Sequence, residues 1–159
     1  MARRVFFSFH YERDIWRVGQ IRNSWLTKPD REAAGFWDAA AWEEVKKKGD
    51  EAIKKWIDKQ LEGTSVTAVL IGRETSEREY VQYEIKRSWE EGKGLFGIYI
   101  HSIKDQNVST DQKGNNPLDK LKFTRNGNIV AIPTYDWVSN DGYNNLATWI
   151  DKAAKEAGR

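Results

Sequence analysis

Six consecutive residues, Val66-Thr67-Ala68-Val69-Leu70-Ile71, carry neither a charge nor a turn residue. A strand that is apolar on every side, rather than on alternate sides, needs cover on both faces, which is the situation of an interior strand in a parallel sheet. No other segment limits the possible folds as strongly. It is followed by the polar break Gly72-Arg73-Glu74-Thr75-Ser76 and then by a helix that carries Glu84 beside its apolar stripe. In open α/β sheets the ligand crevice lies at the carboxyl ends of such strands. Glu84 is therefore a carboxylate two turns into a helix that starts at that rim, and the first candidate for chemistry.

Strands and helices alternate along the rest of the chain. Val5-Phe6-Phe7-Ser8-Phe9 reads as a first strand, and Asp14 to Trp25 as a helix with Ile15, Val18, Arg22 and Trp25 at helical spacing. A connection from Leu26 to Ala41, broken by Pro29 and Gly35, holds a short second strand at Gly35-Phe36-Trp37-Asp38. Trp42 to Leu61 reads as one long amphipathic helix stopped by Gly63. After the strand at Val66 come a helix from Glu77 to Glu91 and a strand from Leu95 to Ile100. Ser102 to Asn128 is a long polar loop anchored around Leu118 and Leu121, with a lid, an assembly surface and disorder all open as readings. Ile129-Val130-Ala131-Ile132 is the expected fifth strand, and a helix runs from Gly142 to Ala157.

This alternation predicts an α/β fold of three layers, with helices on both faces of a five-stranded, mainly parallel sheet. Right-handed crossovers leave few topologies, and the flavodoxin-like order 2-1-3-4-5 is the commonest that fits. With neither an internal repeat nor a linker, residues 1–159 are expected to form a single domain. In this order the switch point lies between the first and third strands, where Ser8-Phe9-His10-Tyr11 and Gly72-Arg73-Glu74-Thr75 meet. Helix starts there favour phosphate or carboxylate groups.

Composition removes several classes of function. Twenty-six Lys and Arg against 24 Asp and Glu give a net charge of +2, too even a balance to point to nucleic acid. Eight Trp, six Tyr and six Phe supply enough burial for a folded domain despite the charged surface. The absence of Cys excludes disulfides and thiolate metal sites and fits a cytoplasmic location. No apolar run approaches the roughly 18 residues of a membrane span, so no membrane partner is expected.

Several blocks resemble TIR domains. Arg4-Val5-Phe6-Phe7-Ser8-Phe9-His10 is similar to the opening TIR strand, which typically ends in a Ser-Phe pair. Ser76 to Glu84 resembles the TIR pattern of Ser, three residues, an aromatic, a small residue, two residues and Glu. The likeness is greatest to the TIR proteins of bacterial Thoeris antiphage systems. It takes in Ala34-Gly35-Phe36-Trp37-Asp38, Thr64 to Gly72, Tyr83-Glu84-Ile85 and Tyr135 to Tyr143. Tyr80 departs from the pattern, because plant and bacterial enzymes usually have Trp there.

The resemblance implies an enzyme that cleaves the nicotinamide-ribose bond of NAD+ as substrate, with no cofactor and no metal. It implies a cyclic ADP-ribose isomer as second messenger, an effector protein reached through that product, a phage-derived trigger, and a homo-oligomer or filament on activation. Glu84 would be the catalytic carboxylate. Phe9, His10 and Tyr11 would line a nicotinamide or adenine pocket, or else serve as core and surface residues. Ser8 would donate to the ligand, or simply end the strand. Tyr80, one turn before Glu84, would border the ribose site. Asp38 sits in the loop that gates such sites or mediates assembly, with a structural role equally open. Arg73 would meet the pyrophosphate, or stay solvated. Two other classes stand beside this one: a non-catalytic TIR-like interaction or nucleotide-sensing module, and a nucleoside deoxyribosyltransferase-like enzyme with a Glu nucleophile.

Overall fold

The computed structural model describes residues 3–27, 31–35 and 39–159. Five parallel strands build the main sheet: β1 (Arg3–Ser8), β2 (Arg31–Ala34), β3 (Val66–Ile71), β4 (Gly94–Tyr99) and, after a small hairpin, β7 (Thr134–Asp136). The hairpin pairs β5 (Thr124–Arg125) with β6 (Asn128–Ile129) antiparallel. The sheet order is β2-β1-β3-β4-β7, which is 2-1-3-4-5 counted over its own strands, as the alternation predicts. Val5 pairs with Val66, and Val69 with Gly97, so β3 lies between two parallel neighbours. All six of its residues are buried. Val69 and Ile71 enter one apolar cluster while Ala68 and Leu70 enter another, the two-faced burial that a non-alternating strand requires.

Helices α1 (Tyr11–Leu26) and α5 (Gly142–Glu156) pack against each other on one face of the sheet. On the other lie α2 (Ala39–Lys47), α3 (Asp50–Leu61) and α4 (Glu79–Glu90). Val18, Ile21, Leu146 and Ile150 are buried beneath the first pair, and Val81 and Ile85 beneath α4. Tyr83 of α4 donates its hydroxyl to Asp58 of α3 at 2.7 Å, and Arg87 reaches the same carboxylate at 3.2 Å.

Four elements differ from the sequence expectation. The second strand is Arg31–Ala34 rather than Gly35 to Asp38: an edge strand needs little apolar content, and Ala34 supplies the buried contact. Phe36, Trp37 and Asp38 lie outside the described residues. The long helix from Trp42 to Leu61 is two helices, because Gly49 adopts φ +92°, a conformation that ends α2. The fifth parallel strand is Thr134–Asp136 and not Ile129 to Ile132, because Asn126 and Gly127 take positive φ and turn the chain into the β5–β6 hairpin, leaving Ile129 exposed. Finally, a 3-10 turn, Thr75–Glu77, precedes α4 and delays its start to Glu79.

The stretch between β4 and β5 is irregular in backbone yet heavily bonded. Arg17 donates to the carbonyls of Ile103 (2.7 Å) and Ser109 (2.9 Å), and Arg13 to the Asp111 carboxylate. Gly114 lies against the Gly72 and Arg73 carbonyls so closely that a Cβ there would come within 2.1 Å of the Gly72 oxygen. Leu118, expected as the anchor, is buried against the β3–β4 face. Among the described residues, no helix is long and apolar enough to cross a membrane.

Candidate active site

The site grows out of the end of β1. Side chains alternate along a strand, so Phe6 and Ser8 share a face, and α4 packs on it. Ser8 is completely buried, and its Oγ donates to Glu84 Oε1 at 2.7 Å, across 76 residues of sequence. Glu84 is 1 % exposed. Burial raises its pKa well above the ordinary glutamate value, and the Ser8 hydrogen bond opposes the rise only in part. The same residue is held from behind. Ser88 Oγ donates to the Glu84 carbonyl at 2.6 Å and takes the Thr67 hydroxyl of β3 at 2.7 Å.

Aromatic rings close the space above this pair. Tyr80 stands one helical turn before Glu84, its ring centroid 5.2 Å from Trp42 and the Trp42 centroid 5.7 Å from Tyr11. Phe9 lies 6.3 Å from Tyr11 and is buried. The Tyr80 hydroxyl accepts from the Tyr11 backbone N–H (3.0 Å) and donates to the Phe9 carbonyl (3.2 Å). Burial pushes this phenol up to about 12, so it keeps its proton. Beyond Tyr80 a pocket of about 490 Å³ opens between α2, α3 and the start of α4, lined in part by Trp42, Lys46, Arg78, Tyr80 and Tyr83. Tyr80 lines it and Glu84 does not.

His10 follows Ser8 by two residues. It is 7 % exposed, its Nδ1 has no hydrogen-bond partner among the described residues, and burial, reinforced by the Arg78 charge, lowers its pKa. Its backbone carbonyl starts α1 by accepting from Asp14 N at 2.9 Å. Tyr11 is thus the first helical residue rather than part of a loop.

The structure brings Ser8, Tyr80 and Glu84 together, with Phe9, His10 and Tyr11 around them. Arg73 is not part of that group: its side chain is exposed, while its carbonyl faces Gly114. The third-strand loop instead meets Arg13, and the segment after β4 meets Arg13 and Arg17, two arginines that spacing alone did not single out. Arg13 contacts Glu74 (2.7 Å), Asp111 and Asp14, and Arg17 contacts Asp111 (3.8 Å) and Asp105 (3.6 Å). Their four-residue spacing at the start of the helix after β1 was the available signal. Arg78, also missed, ends the 3-10 turn with its guanidinium 5.5 Å from the Tyr80 ring centroid and bonded to Glu12.

A buried carboxylate tied to a strand-end serine, at the switch point of a 2-1-3-4-5 parallel sheet, is a narrow combination. The model of the family "Thoeris protein ThsB, TIR-like domain" matches residues 6–105. The chain belongs to this ThsB TIR family. A Bacillus cereus (strain MSX-D12) protein named "Putative cyclic ADP-D-ribose synthase ThsB1" is 42% identical over 163 residues, an alignment covering 100% of this chain and 85% of that protein. The matched region includes Ser8, Tyr80 and Glu84, and runs from the second half of β1 through β4. A ThsB TIR domain thus accounts for the fold.

Proposed function

We propose that this chain cleaves the nicotinamide-ribose bond of NAD+ and converts the remainder to a cyclic ADP-ribose isomer that serves as a second messenger in antiphage defence. The observation that carries the proposal is Glu84, a buried carboxylate whose polar partner is a hydroxyl rather than a cation. An uncompensated carboxyl of this kind gains most from a positively charged ligand, and the nicotinamide ring of NAD+ is one.

As the C1′–N bond breaks, its electron pair moves to the nicotinamide nitrogen and neutralises the ring. The positive charge passes to the ribose, where it is stabilised by Glu84, whose ionisation the bound cation favours against the burial. Capture by a hydroxyl or ring nitrogen of the adenosine end forms the new bond and closes a ring; a hydroxyl loses its proton in that step. Capture by water yields linear ADP-ribose. The aromatic cover of Phe9, Tyr11, Trp42 and Tyr80 favours the first outcome by excluding water and holding planar groups. His10 borders the space, while the pyrophosphate contact foreseen for Arg73 passes more naturally to Arg78 or Arg13. For Asp38, outside the described residues, gating, assembly and a structural role all stand as readings.

On this reading the enzyme works in the cytoplasm, reaches its effector protein through the nucleotide product, and responds to a phage-derived trigger, with self-assembly as the means of opening the site. Burial of Glu84 also gives the nucleotide-sensing reading an observation in its favour, since a shut site suits a protein that binds without turnover. The test is to incubate the purified chain with NAD+, alone and in lysate of phage-infected cells, and to resolve the products by chromatography and mass spectrometry beside Glu84→Gln. A Glu84-dependent product with the mass of ADP-ribose less one water supports the cyclase. Intact NAD+ in both settings, with NAD+ or its product still bound, favours the sensor.

A further inference from the structure

We propose that Tyr80 is a positioning residue for Glu84: its hydroxyl pins the turn between β1 and α1, and that turn sets where the Ser8 hydroxyl meets the carboxylate. The proposal rests on Glu84 being the reacting-site carboxylate.

The register of β1 with β3 ends at Ser8, opposite Val69. Past that point the chain must turn into α1. At the turn the phenol receives the Tyr11 N–H at 3.0 Å and gives its own proton to the Phe9 carbonyl at 3.2 Å, bonding the backbone on both sides of His10. The ring itself is fixed by Trp42 on one side and the Arg78 guanidinium on another. One turn further along α4, Glu84 receives Ser8 Oγ at 2.7 Å. Two successive turns of one helix thus hold three of the four residues of the β1 exit, one through a phenol and the other through a carboxylate. A shift in either hold moves the other.

The chemistry demands a phenol. Phenylalanine fills the same volume but leaves the Tyr11 N–H and the Phe9 carbonyl without this partner. Tryptophan brings a donor and no acceptor, so it cannot take the Tyr11 N–H. Phenylalanine at 80 removes the hold while sparing the packing against Trp42, and the Ser8–Glu84 hydrogen bond then loosens.

The experiment compares Tyr80→Phe, Ser8→Ala, the double variant and Tyr80→Trp by two readouts. The first is the titration of the Glu84 side-chain carboxyl, followed by carbon NMR in glutamate-labelled protein. The second is steady-state NAD+ turnover. Ser8→Ala should raise the Glu84 midpoint, because it deletes a donor that favours the carboxylate. Tyr80→Phe and Tyr80→Trp should raise it in the same direction by less, and the double variant should go no further than Ser8→Ala, the non-additivity expected of residues acting through one another. Turnover by Tyr80→Phe should fall about ten-fold in kcat with KM unchanged, the cost of a small misplacement. An unshifted Glu84 midpoint in both Tyr80 variants, or additive shifts in the double variant, overturns the proposal. A raised KM with an unshifted midpoint also overturns it and makes Tyr80 a substrate contact. Failure of the wild type to turn over NAD+ sinks the enzymatic reading, whereas the titration series still decides this one.

Discussion

Two carboxyl groups in this molecule are each 1 % exposed, and their surroundings differ completely. Asp14, on α1, sits among arginines: Arg13 approaches to 3.4 Å, and Arg17 also lowers its pKa. Burial still wins, but the two cations limit the rise to about 6. Burial raises the pKa of Glu84, on α4, well above the usual range, and among the described residues a serine hydroxyl, not a cation, opposes the rise. Equal burial with unequal compensation separates two jobs. Asp14 belongs to a charge cluster that fastens the segment between β4 and β5 over the β3 rim. Glu84 keeps an electrostatic demand that the folded chain leaves unmet, which is what a site for a cationic reacting group needs.

The largest effect is expected at Glu84 itself. Glu84→Gln should lower NAD+ turnover by about 10²–10³-fold or more, the usual scale for losing a charge that stabilises the transition state. The glutamine oxygen can still accept from Ser8, so the fold should survive. Ordinary turnover in that variant would remove the contrast between the two carboxyls.

Next comes Arg13. Arg13→Ala leaves Asp14, Glu74 and Asp111 without their shared cation, and should cost about 2 kcal/mol or more in chemical denaturation, since Asp14 then stays buried with less compensation. A cost below about 0.5 kcal/mol, the ordinary surface level, would show that the cluster does not fasten the rim.

Gly114→Ala tests the same rim from the other side. Its Cβ would collide with the Gly72 and Arg73 carbonyls, which are backbone and cannot rotate away, so about 1–3 kcal/mol is the expected loss. Faster hydrogen exchange should appear from residue 101 to 116, with α4 unchanged.

The smallest effects are in pH dependence, and both carboxyls have the same sign. A raised folded pKa means that the folded state binds the proton more tightly than the unfolded state. The stability linked to that group is complete below the unfolded value and is lost as pH rises through the folded one. For Asp14 the window runs from about 4 to about 6. The difference in melting temperature between wild type and Asp14→Asn should therefore move in the variant's favour across that window and then level off. For Glu84→Gln the same movement should begin near pH 4 and continue to higher pH, because the folded value lies further up. Identical windows for the two variants would contradict the comparison.

Much of this was legible in the sequence because it depended on local pattern. Val66 to Ile71 could be placed in the sheet centre because an apolar, β-branched run allows few other homes. Glu84 could be placed at the rim because it lies on the helix that follows that strand. The break at Gly49 was not legible: the apolar spacing of Trp42, Val45, Ile53 and Trp56 continues across it, and one positive φ overrides the pattern. Ile129 to Ile132 outscored Thr134 to Asp136 as a strand on composition, although the Asn126-Gly127 pair was a hairpin signal in plain view. The Arg13–Asp111 contact joins residues 98 apart, and no periodicity reports such a pairing. The site was legible in its residue types but not in its enclosure, since ring packing by Trp42 depends on where α2 ends.

The pairing of β1 with β3 has a further consequence, in the order of assembly. Among the described strands β1 precedes the others in sequence, yet its interior partner begins at Val66, and the Ser8–Glu84 hydrogen bond closes a loop of 76 residues. On a ribosome the apolar Val5-Phe6-Phe7 segment must wait, unpaired on that side, until β3 emerges. Contacts this distant in sequence fold slowly and come late. Neither a nascent chain nor a proteolytic fragment that stops short of α4 contains Glu84, so the Ser8–Glu84 pair comes into being only after the sheet's middle is built.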